Sequence, residues 1–238
     1  MFNLLYKLFF YLQLKIKIYL KKMKQKDIIL KKILHHKIIP IIRVYKNEQA
    51  FNVASILIDA GIPVLEISLS IPGSLSILEE TANKFGDNLL LGAGTVLDEI
   101  SVCHALSCGA KFIVSPNTNK KVIDTCKKKR VCVFPGALTP TEINYAISVG
   151  ADAIKVFPCN LIGGPAYIKS LKAPFPQALL FPCGGVCEQN ALEYFVAGAK
   201  AVFTGSSLVN NNSFSKEGLK KLYKKSLKLV SIIKNIKD

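Results

Sequence analysis

Two charged residues interrupt stretches that are otherwise apolar. Lys155 stands in AIKVFP (153–158) and Glu66 in VLEISL (64–69), each the third residue of its run. Short apolar runs of this kind read as strands buried on both faces. A lone lysine on a strand can carry its ammonium to water along the stem and needs no further reading. Opposite charges inside two buried strands are a different case, because an unpaired buried charge costs several kcal/mol and each is the natural partner of the other. One outcome is an ion pair kept only for packing. The other is chemistry: burial favours the neutral amine, a nucleophile that attacks a ketone to form a Schiff base. A neighbouring carboxylate then moves the protons that carbinolamine formation, dehydration and enamine protonation require.

The elements that must hold these groups repeat along the chain. Apolar strands read at 38–44, 64–69, 89–96, 112–116, 131–137, 153–158, 179–185 and 201–206. Helix-length segments follow them, starting near Asn47, Gly73, Asp98, Thr118, Thr139, Gly164 and Glu188, and a lysine-rich helix closes the chain. A short helix, KDIILKKIL, precedes the first strand. GIPVLEIS, GAKFIVSP, GADAIKVFP and GAKAVFTGS form a weak repeat in which a glycine just past a helix lets the chain turn into the next strand. Eight such units fit an α/β fold of the (β/α)8 TIM-barrel type. An open dinucleotide-binding sheet fits less well, because no G-x-G-x-x-G follows the first strand. The glycines of LLGAGTV read instead as a bulge at a strand end.

In a barrel the active site lies at the C-terminal ends of the strands. The polar residues expected there are Arg43, Glu66, Thr95, Ser115, Lys155, Cys183, Thr204 and Ser206. Glu66 and Lys155 fall on the second and sixth predicted strands, and alternate strands supply the same interior layer. PCGGV after the seventh strand and TGSS after the eighth place Gly184, Gly185, Gly205 and Ser206 where barrels bind phosphate through bare backbone N–H groups.

The 238-residue chain is half apolar and carries a net charge of +16, enough apolar residues for one large domain. Only Arg43 and Arg130 among the 32 basic residues are arginine, and scattered lysines do not make the arginine forks of a nucleic-acid surface. The seven cysteines contain no C-x-x-C pair and the three histidines stand apart from Cys183 and Cys187, so no metal site is expected. The cysteine usage points to a reducing, cytoplasmic compartment. Residues 1–25 read as a basic, apolar extension, disordered or untranslated if Met23 is the true start, and residues 26–238 as the folded domain. Lys7, Lys15 and Lys17 break the extension below the ~18 apolar residues of a membrane span.

IIPIIRV, VLEISLSIP, GAGTVL, FIVSP, FPGALTPTE, IKVFP, PFP, PCGGV and GSSLV, in that order, resemble the 2-keto-3-deoxy-6-phosphogluconate (KDPG) aldolase / 4-hydroxy-2-oxoglutarate (KHG) aldolase family over about residues 26–232. The resemblance implies a homotrimeric, metal-independent and cofactor-free class I aldolase that cleaves KDPG to pyruvate and D-glyceraldehyde 3-phosphate. KHG or the galactonate epimer is the alternative substrate. A phosphate-binding barrel isomerase and a barrel that no longer turns over are the rival functions. On this resemblance Lys155 is the Schiff-base lysine and Glu66 the general acid/base. Arg43 and Thr95 meet the pyruvyl carboxylate, Pro116 and Phe157 wall the pocket, and Gly184, Gly185 and Ser206 bind phosphate. Ser70 stands where some members carry arginine, and Cys183 where P-T-G-G has its hydroxyl.

Overall fold

The computed structural model describes residues 25–236; the extension expected over 1–25 lies outside them except for its last residue. Helix α1 spans 25–36. It is followed by β1 (Ile38–Ile42), α2 (Asn47–Asp59), β2 (Val64–Ser68), α3 (Ser74–Phe85), β3 (Leu90–Gly94) and α4 (Glu99–Ser107). Next come β4 (Phe112–Val114), α5 (Lys120–Lys129), β5 (Cys132–Phe134), β6 (Gly136–Ala137), α6 (Pro140–Val149) and β7 (Ile154–Val156). The chain ends with α7 (Pro165–Lys172), β8 (Leu180–Pro182), α8 (Ala191–Val196), β9 (Val202–Thr204) and α9 (Lys216–Lys234).

Every strand pair is parallel, and strand side chains alternate between two apolar clusters. Ile39, Ile41, Val64, Phe112, Val114, Phe134, Phe181 and Phe203 share one cluster with Ile29 and Ile33 of α1. Ile38, Ile42, Leu65, Ile67, Ile113, Val133 and Val202 turn the other way, into the cluster that holds the buried faces of the helices. The period of two in these burial partners is why sequences such as IIPII and VLEIS, buried throughout, lie between an inner apolar cluster and a helical layer.

The strands form a six-stranded sheet in the order β5-β4-β3-β2-β1-β9 and a three-stranded sheet in the order β6-β7-β8. A parallel bridge between Cys183 and Phe203 joins β8 to β9. On the other side only Pro135 separates β5 from β6. The segment 131–137, expected as one strand, is therefore two. Proline has no N–H for the ladder, and the chain changes partner at that point, β5 lying on β4 and β6 on β7. The result is an α/β fold with a curled parallel sheet.

Other boundaries follow their caps. Thr139 and Glu142 form a capping box at the start of α6, and Pro165 opens α7. Gly61, Gly109, Gly150 and Gly198, the glycines of the repeat, all have positive φ. Two helices start later than expected: α5 at Lys120 behind the Asn119 cap, and α8 at Ala191 after a turn in which Asn190 Oδ1 accepts from Cys187 N.

Candidate active site

Arg43, Thr95, Pro116, Phe157 and Cys183 all lie within two residues of a strand's C-terminal end, so the parallel sheet gathers them on one edge. Glu66 and Lys155 sit one turn of the pleat deeper, inside β2 and β7. Lys155 Nζ lies 3.9 Å from Glu66 Oε2, and the side chains are 7% and 1% exposed. That separation is an electrostatic pair without a hydrogen bond. Glu66 Oε2 has no hydrogen-bond partner.

The ammonium stands 4.9 Å from the Phe203 ring centroid and 5.7 Å from that of Phe157. Beneath it Phe112, Phe134, Phe181 and Phe203, all fully buried, follow one another with centroid spacings of 5.7, 5.3 and 6.3 Å. This aromatic floor keeps water from the lower side of the lysine. Burial pushes the Glu66 carboxyl up, against the opposing pull of Lys155 and Arg43. Burial likewise pushes the Cys183 thiol up to about 11, with Lys155 opposing and Glu66 reinforcing the shift. Arg43 is exposed at the mouth and acts electrostatically on both groups.

Thr95 carries a β-branched side chain at φ +59, a conformation such residues rarely adopt. Its hydroxyl is 2.8 Å from Ser68 Oγ, which is 2.9 Å from Ser70 Oγ. The three hydroxyls form one chain from Thr95 through buried Ser68 to exposed Ser70. A single proton per hydroxyl means that an anion accepting from Thr95 sets the direction of the whole chain.

At the other side of the edge Gly184 and Gly185 have φ of +105 and +67, and a Cβ on either would come within 2.7 Å of the Asn160 side chain. Asn190 Nδ2 donates to the Gly185 carbonyl, and Ser207 Oγ donates to that of Val186, tying the loops after β8 and β9 together. Lys225 of α9 donates to the Ser207 carbonyl at 2.8 Å, and Asn210 Nδ2 to that of Ser206. Gly205 differs from its neighbours: its φ is not positive and the space beside it is open.

Sequence reasoning missed Phe203, Ser68 and Asn160 as neighbours of the site. Phe203 follows the strand alternation and carries no separate signal; Ser68 could have been read from its place two residues beyond Glu66. Ser115, expected among the strand-end polar groups, turns away and donates to the Val96 carbonyl. Thr204 is fully buried, and its hydroxyl has no hydrogen-bond partner. Among the described residues no group of three His, Cys, Asp or Glu could hold a metal ion, and no helix is long and apolar enough to cross a membrane.

The family model "KDPG and KHG aldolase" matches residues 29–225, and the chain belongs to that family of aldolases, which are lyases. It is 36% identical over 172 residues to the 2-dehydro-3-deoxy-6-phosphogalactonate aldolase of Escherichia coli K12, covering 72% of this chain and 83% of that protein. It is 33% identical over 171 residues to the 2-dehydro-3-deoxy-phosphogluconate aldolase of Treponema pallidum, covering 72% and 80%. Among solved structures it resembles the KDPG aldolase of Legionella pneumophila, captured with pyruvate as a covalent carbinolamine, with TM-score 0.69 and 27% identity over 85% of this chain and 94% of that one.

Proposed function

We propose that the protein is a class I aldolase that cleaves 2-dehydro-3-deoxy-6-phosphogluconate to pyruvate and D-glyceraldehyde 3-phosphate, with Lys155 as nucleophile and Glu66 as proton carrier. The observation that carries the reading is the buried Lys155–Glu66 pair, 3.9 Å apart above an aromatic floor. Lys155 Nζ attacks the C2 ketone, and the carbinolamine loses water to a protonated imine. Glu66 takes the proton of the C4 hydroxyl, the C3–C4 bond breaks, and its electron pair becomes the enamine double bond as the aldehyde leaves. Protonation of C3 and hydrolysis of the imine release pyruvate and restore the amine. The iminium is the electron sink, so the reaction draws on no metal or cofactor.

Arg43 at the mouth and Thr95, with its ordered hydroxyl, suit the keto-acid carboxylate; Pro116 and Phe157 form walls. The linked loops bearing Gly184, Gly185, Gly205 and Ser206 suit the phosphate, with backbone N–H groups as donors. The chain is also similar to a galactonate-epimer aldolase at 36% identity, which favours 2-dehydro-3-deoxy-6-phosphogalactonate as the second substrate to examine, followed by 4-hydroxy-2-oxoglutarate. Pyruvate release measured by a coupled dehydrogenase on the three substrates tests the reading. The highest kcat/KM is expected on KDPG, and no release from any of them overturns it.

With β5 and β6 taken as one strand interrupted at Pro135, the two sheets read together as one eight-stranded (β/α)8 barrel. The Cys183–Phe203 bridge and the bond from Lys155 N to the Pro135 carbonyl at 2.9 Å support closure at both seams. The residues named for catalysis and binding all lie within 26–238, the span we assign to the aldolase domain. The homotrimer rests on family resemblance, and seven free cysteines support a reducing, cytoplasmic setting.

A further inference from the structure

Strand β3 presents Gly92 and Gly94 to its neighbours, and neither space is empty. A Cβ on Gly92 would overlap the Phe112 ring, and a Cβ on Gly94 would overlap Glu66 Oε1. Neither glycine has a positive φ, so the backbone there would accept any residue, and at Gly94 the requirement for glycine comes from the Glu66 carboxylate. The next residue, Thr95, bonds Ser68, two residues beyond Glu66 on β2. The end of β3 thus receives both Glu66 and Ser68.

The consequence is a defined gap. A carboxylate drawn fully onto a lysine would sit at about 2.8 Å. Here Glu66 lies back against β3 with Oε2 at 3.9 Å from Nζ and no hydrogen-bond partner, an acceptor free to serve a group bonded to Lys155. We propose that Gly94 is a positioning residue: its missing side chain is the socket that holds the Glu66 carboxylate in the place from which it moves protons. The proposal rests on the Schiff-base reading above. With pyruvate bound to Lys155 as an iminium, Oε2 takes a proton from the methyl carbon. The C–H pair becomes the C=C bond of the enamine, and the iminium π pair moves onto nitrogen. The reverse step in D2O returns a deuteron.

The test uses the full chain with Gly94→Ala and pyruvate. Deuterium exchange into the pyruvate methyl, followed by NMR, should fall by ~10²-fold or more. The end-point yield of borohydride-trapped pyruvate on Lys155 should stay close to that of the parent, since β7 is untouched. If Gly94→Ala alone does not fold, the same change on a Glu66→Ala background should fold with the Tm of Glu66→Ala, because the three atoms nearest to a Cβ there, Oε1, Cδ and Cγ, all belong to the Glu66 side chain.

Exchange at the parental rate in Gly94→Ala overturns the proposal. So does an equal loss of exchange and trapping, or a Gly94→Ala penalty undiminished by Glu66→Ala. Failure to trap pyruvate on Lys155 in the unsubstituted protein overturns the Schiff-base reading itself and this proposal with it.

Discussion

Glu66 holds its proton more tightly than a solvated carboxyl because burial outweighs the pull of Lys155 and Arg43. A carboxyl whose folded pKa is raised contributes stability that is complete below its ordinary value of 4.5 and is lost as the pH rises through the folded value. Glu66→Gln removes that titration. Thermal melts should therefore show the variant gaining on the parent from pH 4.5 toward neutrality, by about 1.4 kcal/mol for each unit by which the carboxyl is raised. A difference that is flat across this window would mean the carboxyl is not raised. Ser68→Ala breaks the hydroxyl chain behind Thr95 and should raise KM for the keto acid by about tenfold with a smaller change in kcat. Lys155 and Glu66 were legible in the sequence because each charge breaks an apolar pattern. Phe203 obeys that pattern and so was silent, and Gly94 has no side chain to read. The glycines of LLGAGTV looked like a strand-end bulge, whereas their spaces are filled by Phe112 and Glu66.

At the scale of elements, the period-two alternation and the glycines after helices marked the order of strands and helices along the chain. The break at Pro135 was not foreseen, although proline's missing N–H is a sequence-level signal, because the apolar run on either side of it is continuous. The residue after it carries a testable constraint. A Cβ on Gly136 would overlap the Pro116 carbonyl, a backbone group that cannot swing aside as a side chain can. Gly136→Ala should destabilise the fold by about 1–3 kcal/mol in denaturant titrations. A variant as stable as the parent would show that β4 and β6 yield at this point. Helix α8 is only six residues long because Asn190 first closes a turn on Cys187, a local hydrogen bond that hydrophobic periodicity does not register.

For the whole molecule, which strands neighbour one another depends on contacts distant in sequence, such as Cys183 with Phe203 and Ile38 with Val202, and no local pattern reports these. Burial makes the cysteines unequal in the same non-local way. Cys103 is exposed, whereas the Cys126 and Cys132 thiols are pushed up to about 12 and that of Cys159 to about 11. A thiol reagent at pH 8 should modify Cys103 in the native protein and leave these three until it unfolds; their early modification would mean that the fold opens readily. The proposed chemistry depends most on Lys155 being the residue that bonds the substrate. Borohydride reduction in the presence of pyruvate, followed by peptide mass spectrometry, tests this directly. A reduced pyruvyl adduct on Lys155, absent without pyruvate and lost in Lys155→Met, is the predicted result. Adducts confined to other lysines, or no adduct at all, would contradict it.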